Sequence, residues 1–250
     1  MRLNALVARL DDELSTDKFS DYCPNGLQVQ GRDEVHKIVS GVTASEALID
    51  AAIAANADAI LVHHGYFWKG EAAQVVGMKR RRLAKLLAHD ISLIAYHLPL
   101  DAHPTLGNNA QLARRLGLLR ECSLYDDPRQ VGDVGRLESP MSAEAFAEHI
   151  AHVLQRKPLH IAGGPALIQR VAWCTGGAQG FIEQAASHGV DAYISGEISE
   201  PTVHVARECG LHYFAAGHHA TERYGVQALG EWCAENLGLS HEFIDCDSPA

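Results

Sequence analysis

The sequence has 250 residues, of which 47% are hydrophobic and 21% are charged, and this balance excludes an intrinsically disordered chain. The formal net charge of −10 disfavours a nucleic-acid partner held by broad phosphate neutralisation. The N-terminus turns charged at Asp11-Asp12-Glu13, and no stretch approaches the ~20 apolar residues of a membrane span, so we expect neither a signal peptide nor a membrane segment. The six cysteines are widely spaced without a C-x-x-C pair, which is typical of reduced thiols in a cytoplasmic protein.

Helix and strand patterns alternate along the first part of the chain, and this order predicts a parallel sheet with helices packed on it. In order, we predict a helix from Leu3 to Ser15, a short strand Leu27–Val29, a strand Val35–Val42, a helix Ala47–Ala55, a strand Ala59–Val62, a helix Met78–His89 and a strand Ile91–Tyr96.

The second part of the chain resembles the first. After a stretch rich in Asp, Gly and Pro from Asp126 to Pro140 and a helix from Ser142 to Leu154, the strand–helix–strand pattern returns. Thr43 corresponds to Thr175, Asp58 to Asp191, and His97-x-x-x-Asp101 to His218-x-x-x-Glu222. We therefore predict an α/β fold of two similar, pseudo-duplicated halves with mostly parallel central sheets flanked by helices, divided into residues 1–126 and 127–250.

Histidines and carboxylates follow several of the predicted strands, where ligands bind in open α/β sheets. Two histidines after an apolar strand are poorly explained by packing, and spacing of four places a histidine and a carboxylate on one face of a helix. Such side chains suit zinc, iron or manganese. Five ligands are more than one ion needs, so we predict two divalent ions, with Glu222 bridging them, held by His63, His64, Asp101, His218 and Glu222.

Two further residues are candidates for proton transfer. His97 could be a ligand, a partner that orients a ligand, or a proton shuttle. Glu197 stands in the second half where His64 stands in the first, and either His97 or Glu197 could be the general base. We expect His219 to face away from the metals. Tyr66-Phe-Trp68 could stack on a planar substrate or simply pack, and the basic run Lys79-Arg-Arg-Arg82 is interpreted as a solvated helix face.

Several short motifs, taken in order, resemble the GTP cyclohydrolase I type 2 homologs of the YbgI-like branch. They are Ser20-Asp-Tyr-Cys-Pro-Asn-Gly-Leu-Gln28, Gly41-Val-Thr-Ala-Ser45, Ile60-Leu-Val-His-His-Gly65, His97-Leu-Pro-Leu-Asp101, Gly107-Asn-Asn109, Ser195-Gly-Glu197 and Gly217-His-His-Ala-Thr-Glu222. The resemblance implies two similar α/β halves, a homohexameric toroid and a dinuclear centre facing its interior. The same five metal ligands are carried over by motif.

The resemblance leaves the substrate open. Cyclohydrolase chemistry on GTP would need ligands for a triphosphate, and the chain has no Gly-rich phosphate loop. We therefore expect a metal-dependent hydrolase of a nucleotide or a related heterocycle. The alternative is a non-catalytic metal-binding or scaffold ring protein, which would bind metal without turning over nucleotides.

Overall fold

The structure, a computed structural model, describes residues 1–127 and 131–250. The chain divides into a first unit, Met1–Gly107 with Gly225–Cys246, and a second unit, Asn108–Tyr224 with Asp247–Ala250. The division expected from the sequence, at 126/127, differs because the chain returns to the first unit near its end. Val226, Leu229 and Cys233 are buried in the core of the first unit, which explains the return. Residues 128–130 of the expected boundary segment lie outside the described residues.

The first unit contains one sheet with helices on both faces. Its elements are α1 (Leu3–Leu14), β1 (Gly26–Val29), β2 (Lys37–Thr43), α2 (Glu46–Ala54), β3 (Ala59–His64), α3 (Gly77–Ala88), β4 (Ser92–Ala95), α4 (Leu98–Ala102) and β11 (Ser240–Phe243). The strand order is β1-β4-β3-β2-β11. Neighbouring strands from β4 to β11 are parallel, and β1 joins the edge antiparallel to β4.

The central strand β3 is buried because its two faces carry different cores. Leu61 belongs to the cluster that includes Leu6 and Leu10 of α1, whereas Ile60 belongs to the cluster that includes Leu48 and neighbours of α2. Burying one such side chain fully contributes about 1.5–3 kcal/mol. An apolar strand covered on both faces leaves its polar residues at the end, where β3 places two histidines.

The second unit is built from α5 (Asn108–Leu116), β5 (Leu118–Ser123), β6 (Asp133–Met141), α6 (Ala143–Leu154), β7 (Leu159–Ile161), β8 (Ile168–Trp173), α7 (Ile182–Ser187), β9 (Ala192–Ser195), α8 (Glu200–Glu208), β10 (His212–Ala215) and the start of α9 (His218–Leu237). The strand order is β5-β6-β8-β9-β10-β7. Strands β8, β9 and β10 are parallel, while β5, β6 and β7 extend the two edges with antiparallel pairings.

Strand β6 occupies much of the stretch that the sequence indicated to be irregular. It pairs with β5 on one side and β8 on the other. At Gly135 an added Cβ would lie 2.2 Å from the carbonyl oxygen of Leu119, so the glycine permits close approach of the two backbones. The Gly and Pro that weaken the strand pattern here therefore serve the pairing and a register shift before Met141.

The predicted duplication is confirmed in the backbone. β2, β3 and β4 form the same consecutive parallel arrangement as β8, β9 and β10. Asp58 accepts hydrogen bonds from the amides of His36 and Lys37 at 2.8 and 3.0 Å. Its counterpart Asp191 accepts from the amides of residues 169 and 170 at 2.9 and 2.8 Å. Each carboxylate ties the start of one strand to the start of its neighbour.

Among residues 1–127 and 131–250, none of the helices combines the length and apolar character needed to cross a bilayer.

Candidate metal centre

His63, at the end of β3, has a ring orientation that suits a metal ligand. The side chain is fully buried, and Nδ1 lies 2.9 Å from the carbonyl oxygen of Tyr96. A carbonyl only accepts, so Nδ1 carries the proton and Nε2 of the neutral ring carries the lone pair. Nε2 lies 3.5 Å from Oδ1 of Asp101. A lone pair and a carboxylate that face each other attract a cation, either a proton or a metal ion.

Asp101 is placed by the short helix α4, which starts directly after β4. Pro99 in its first turn has the backbone angle that a helix start requires. The Asp101 side chain is buried, with a residue exposure of 6%. A carboxylate buried to this degree requires compensation by a charge or hydrogen bonds. The predicted ligands His63 and Asp101 are therefore brought together within the first unit.

His97 is held by a loop to which the sequence analysis assigned no chemistry. Asp21 accepts a hydrogen bond from Nδ1 of His97 at 2.8 Å, and its other oxygen accepts from the Leu98 amide and the Asn25 side chain. Burial of Asp21 raises its pKa, but the hydrogen bond and charge of His97, with the other donors, outweigh burial and lower the pKa to about 2. The polar residues of this loop were the available signal, but their partner lies far along the chain.

The three histidine rings of the first unit form one cluster. One nitrogen from each of His63, His64 and His97 lies within 4.8 Å of the other two. His64 Nδ1 lies 3.3 Å from the Thr43 hydroxyl. Cys23 also lies near Asp21 and His97, but burial, with a contribution from the charge of Asp21, raises the pKa of its thiol to about 12. A protonated thiol is a poor ligand, so the imidazoles and Asp101 are the stronger candidates.

The aromatic residues after β3 have different environments. Tyr66 is buried and donates a hydrogen bond to the Ala44 carbonyl oxygen, which is a packing role. The Trp68 ring is edge-on to His97, with centroids 5.0 Å apart, and lies 6.0 Å from His64. Phe67 is 38% exposed, with Lys79 5.2 Å from its centroid. Trp68 is thus the member of this group that lies against the histidine cluster.

In the second unit, His218 and Glu222 occupy the first turns of α9. Their spacing of four brings His218 Nε2 to 3.1 Å from Glu222 Oε2. Glu197, which follows β9, accepts from Nδ1 of the same ring at 2.7 Å. Burial lowers the pKa of His218, but the hydrogen bonds and charges of Glu222 and Glu197 outweigh burial and raise the pKa to about 9.

Gly176, which the sequence analysis did not select, makes room for the Glu222 carboxylate. Its φ is +69°, and an added Cβ would lie 2.0 Å from Glu222 Oε1. The Gly176 amide donates to the Thr221 hydroxyl at 3.0 Å, which fixes this turn against α9. The signal in the sequence was a Gly-Gly pair directly after a predicted strand, an arrangement typical of close backbone approach.

The remaining candidates have structural surroundings. His219 is 9% exposed, and its amide donates to the Ala250 carbonyl oxygen at 3.3 Å. In the basic run, Lys79 pairs with Glu71 and Arg81 with Glu46 at 3.1 and 3.3 Å, which agrees with a solvated face.

The donor atoms of both units fit a divalent cation. His63 and His218 are each oriented through Nδ1 by an oxygen atom, and Nε2 of each faces a carboxylate. This is the arrangement of metal-binding histidines in proteins. Gly176 provides the space that the Glu222 carboxylate occupies. Each unit therefore contains residues that could bind a metal ion.

The fold and these clusters define a duplicated α/β protein with metal-ligand side chains after its parallel strands. The family model of Duf34/NIF3 (NGG1p interacting factor 3) matches residues 1–249, and the chain belongs to this family.

The similar proteins extend over the whole chain. A relative from Pseudomonas aeruginosa, named GTP cyclohydrolase 1 type 2 homolog, is 58% identical over 249 residues, covering 99% of this chain and 98% of its own. A solved structure described as protein ybgI, of unknown function, has a TM-score of 0.97, 54% identity and full coverage of both chains. A solved structure from Thermus thermophilus has a TM-score of 0.91, 34% identity and full coverage of both chains. The resemblance to the GTP cyclohydrolase I type 2 homologs is confirmed.

Proposed function

We propose that this protein is a metal-dependent hydrolase of a nucleotide or a related heterocycle. Two divalent ions, zinc, iron or manganese, would be held by His63, His64, Asp101, His218 and Glu222, with Glu222 bridging them. That both units serve the same pair of ions is inferred from the sequence repeat and from the family resemblance. A divalent ion supplies Lewis acidity and lowers the pKa of a water molecule, which is the chemistry that hydrolysis requires.

The observation that carries the proposal is the buried pairing of His63 with Asp101. The Tyr96 carbonyl fixes the proton of His63 on Nδ1, and Nε2 therefore presents its lone pair 3.5 Å from the Asp101 carboxylate. Fully buried groups of this kind are costly unless a cation or hydrogen bonds compensate them. A metal ion bound by both would supply this compensation.

We assign the proton-transfer role to His97. The Asp21 carboxylate holds Nδ1–H of His97 at 2.8 Å, so Nε2 is the atom that would accept or release a proton. Asn25 accepts from the His97 amide at 2.7 Å and fixes the backbone of the same residue. A carboxylate on one imidazole nitrogen stabilises the imidazolium formed when the other takes a proton.

Glu197, the second catalytic candidate, is proposed to act through His218. Its Oε1 accepts from His218 Nδ1 at 2.7 Å, and Gln179 donates to Oε2 at 3.4 Å. Such a carboxylate orients a ligand imidazole and raises its basicity. Direct proton transfer from substrate to Glu197 is the alternative, since the side chain is 46% exposed.

Trp68 is the proposed contact for a planar substrate. Its indole lies edge-on to His97 and is held by a hydrogen bond from Nε1 to the Gly65 carbonyl oxygen at 3.2 Å. An aromatic face fixed beside the proton-transfer residue could stack on a nucleobase or another heterocycle.

The test combines metal analysis with turnover. His63→Ala, Asp101→Ala and Glu222→Ala should each lose bound metal, measured by elemental analysis, and hydrolysis across a nucleotide panel, while far-UV circular dichroism stays unchanged. His204→Ala is the control, because this exposed histidine pairs only with the exposed Glu200 in the same helix turn.

Unchanged turnover in metal-free wild-type protein would contradict the proposal. Stoichiometric metal without turnover of any substrate in the panel would instead support the non-catalytic scaffold, with the homohexameric ring as its expected assembly.

A further inference from the structure

Arginine side chains gather at the C-terminal end of α6 in the second unit. Arg223 donates to the Leu154 carbonyl oxygen at 2.7 Å, and the Tyr224 hydroxyl contacts the Val153 carbonyl oxygen at 3.4 Å. Arg156 follows α6 by two residues. The carbonyls at a helix C-terminus favour cations, which accounts for one positive charge here but not for several.

Tyr224 carries two of these cations. The Arg115 guanidinium carbon lies 3.8 Å from the ring centroid, and that of Arg223 lies 5.4 Å from it. Arg223 also lies 3.2 Å from the Tyr224 hydroxyl. Stacking on an aromatic ring holds a guanidinium flat while its N–H edges stay directed outward, the geometry in which Arg binds oxyanions.

Arg156 has a buried donor that the described part of the chain does not satisfy. Its Nε is inaccessible to solvent and has no hydrogen-bond partner among residues 1–127 and 131–250. A buried N–H of a charged group normally has an acceptor. The missing acceptor therefore indicates a ligand oxygen.

The position of Arg156 connects this cluster to the metal-ligand helix. An added Cβ at Gly217 would lie 2.5 Å from Arg156 Nε, and the φ of Gly217 is +102°. The Arg156 side chain thus occupies the space over Gly217, the residue directly before His218. A ligand held by Arg156 would lie next to the start of α9.

We propose that Arg156, with Arg223 and Arg115 beside Tyr224, binds an oxyanion of the phosphate class. The inference extends the proposed function, on which it rests, by supplying the phosphate ligands that a nucleotide substrate needs. The phosphate could belong to a nucleotide or be free inorganic phosphate. Planar guanidinium groups bind both through paired N–H donors.

The test measures binding by isothermal titration calorimetry to the full-length protein after metal removal, so that neither bound metal nor turnover contributes. GTP, pyrophosphate, inorganic phosphate and guanosine are the probes. We expect GTP and pyrophosphate to bind, guanosine not to bind, and Arg156→Gln to weaken phosphate binding by about tenfold or more. Arg136→Gln is the matched control, because this exposed arginine of the same unit pairs loosely with Glu121 at 3.6 Å.

The outcomes separate the alternatives. Loss of GTP binding in Arg156→Gln identifies a nucleotide phosphate, and loss of inorganic phosphate binding alone identifies a free anion. Equal affinities of wild type and Arg156→Gln, or guanosine binding as tight as GTP binding, would overturn the proposal. If Arg156→Gln does not fold, Arg156→Lys keeps the charge without the planar donor pair and should weaken binding by a smaller factor, as should Arg115→Gln. Failure of hydrolysis with intact phosphate binding would refute the proposed function and leave this site standing.

Discussion

The two units share a backbone plan but carry different side chains at its functional end. In the first unit, the strand ends provide His63, His64 and Asp101, and the rings are mostly buried. In the second unit, the equivalent ends provide Glu197 and the His218–Glu222 pair, with two carboxylates on one imidazole. The duplicated framework has kept its hydrogen-bonded supports while its ligands changed from mainly nitrogen to mainly oxygen donors.

The supports should be worth the largest amount of stability. Asp58→Ala removes the acceptor of the His36 and Lys37 amides and of Arg32 at 2.8 Å, and we expect the free energy of unfolding to fall by about 3 kcal/mol. Asp191→Ala removes the acceptor of two amides only, so the loss should be about 2 kcal/mol. Urea unfolding followed by circular dichroism measures both. The corresponding Asn variants keep an acceptor oxygen and should lose less, and wild-type midpoints in both Ala variants would refute the shared role.

Two glycines with the same backbone conformation separate strain from contact with a ligand. Gly176→Ala would both strain a residue with φ +69° and place Cβ 2.0 Å from Glu222 Oε1. Gly189→Ala would strain a residue with φ +65° that has nothing within 4 Å of its added Cβ. Each should cost roughly 1 kcal/mol of stability from the backbone alone. Metal affinity, measured by competition with a chelator, should fall more than about tenfold in the first variant only. Equal metal affinities would contradict the role of Gly176.

The carboxylates that orient histidines should differ between the units in what they control. Asp21→Asn should lower kcat by about 10- to 100-fold with bound metal unchanged, because Asp21 acts through His97. Glu197→Gln should lower metal affinity by a similar factor, because it acts through the predicted ligand His218. Elemental analysis beside initial rates distinguishes them. Metal loss in Asp21→Asn would make His97 a ligand instead of a proton carrier.

Surface ion pairs should give the smallest effects. Arg81→Gln breaks an exposed contact with Glu46 and should change stability by less than about 0.5 kcal/mol. Arg120→Gln in the second unit should cost about 1 kcal/mol, because Asp133, whose pKa is raised by burial, loses its charged partner at 2.7 Å. Thermal unfolding of the two variants provides the comparison, and a larger loss for Arg81→Gln would contradict the surface interpretation of the basic run.

Much of the fold could be predicted from the sequence because its signals are local. The periodic leucines of α1, the apolar run of β3 and the capping serine before α6 each determine an element within a few residues. Strand β6 could not be predicted, because its glycine and proline answer to neighbouring strands. The unit boundary could not be predicted either, since the burial of residues 226–233 in the first unit depends on tertiary packing.

The candidate site was predictable to the same extent. Histidines after an apolar strand, and a histidine four residues before a glutamate, are visible in the sequence and are paired with carboxylates in the structure. The role of Asp21 was not visible, because its partner His97 lies 76 residues away. Gly176 was missed for the same reason, since only the position of Glu222 explains why a side chain is excluded there.

The paired supports Asp58 and Asp191 also record how the chain could have evolved. Each carboxylate binds the amides 22 and 21 residues before it, although the intervening helices and loops differ in sequence. A contact with main-chain atoms places no demand on the identity of its partners, so it survives while neighbouring side chains diverge. The spacing between an aspartate and the preceding strand is therefore a marker by which an ancient gene duplication could be traced in relatives whose overall similarity has faded.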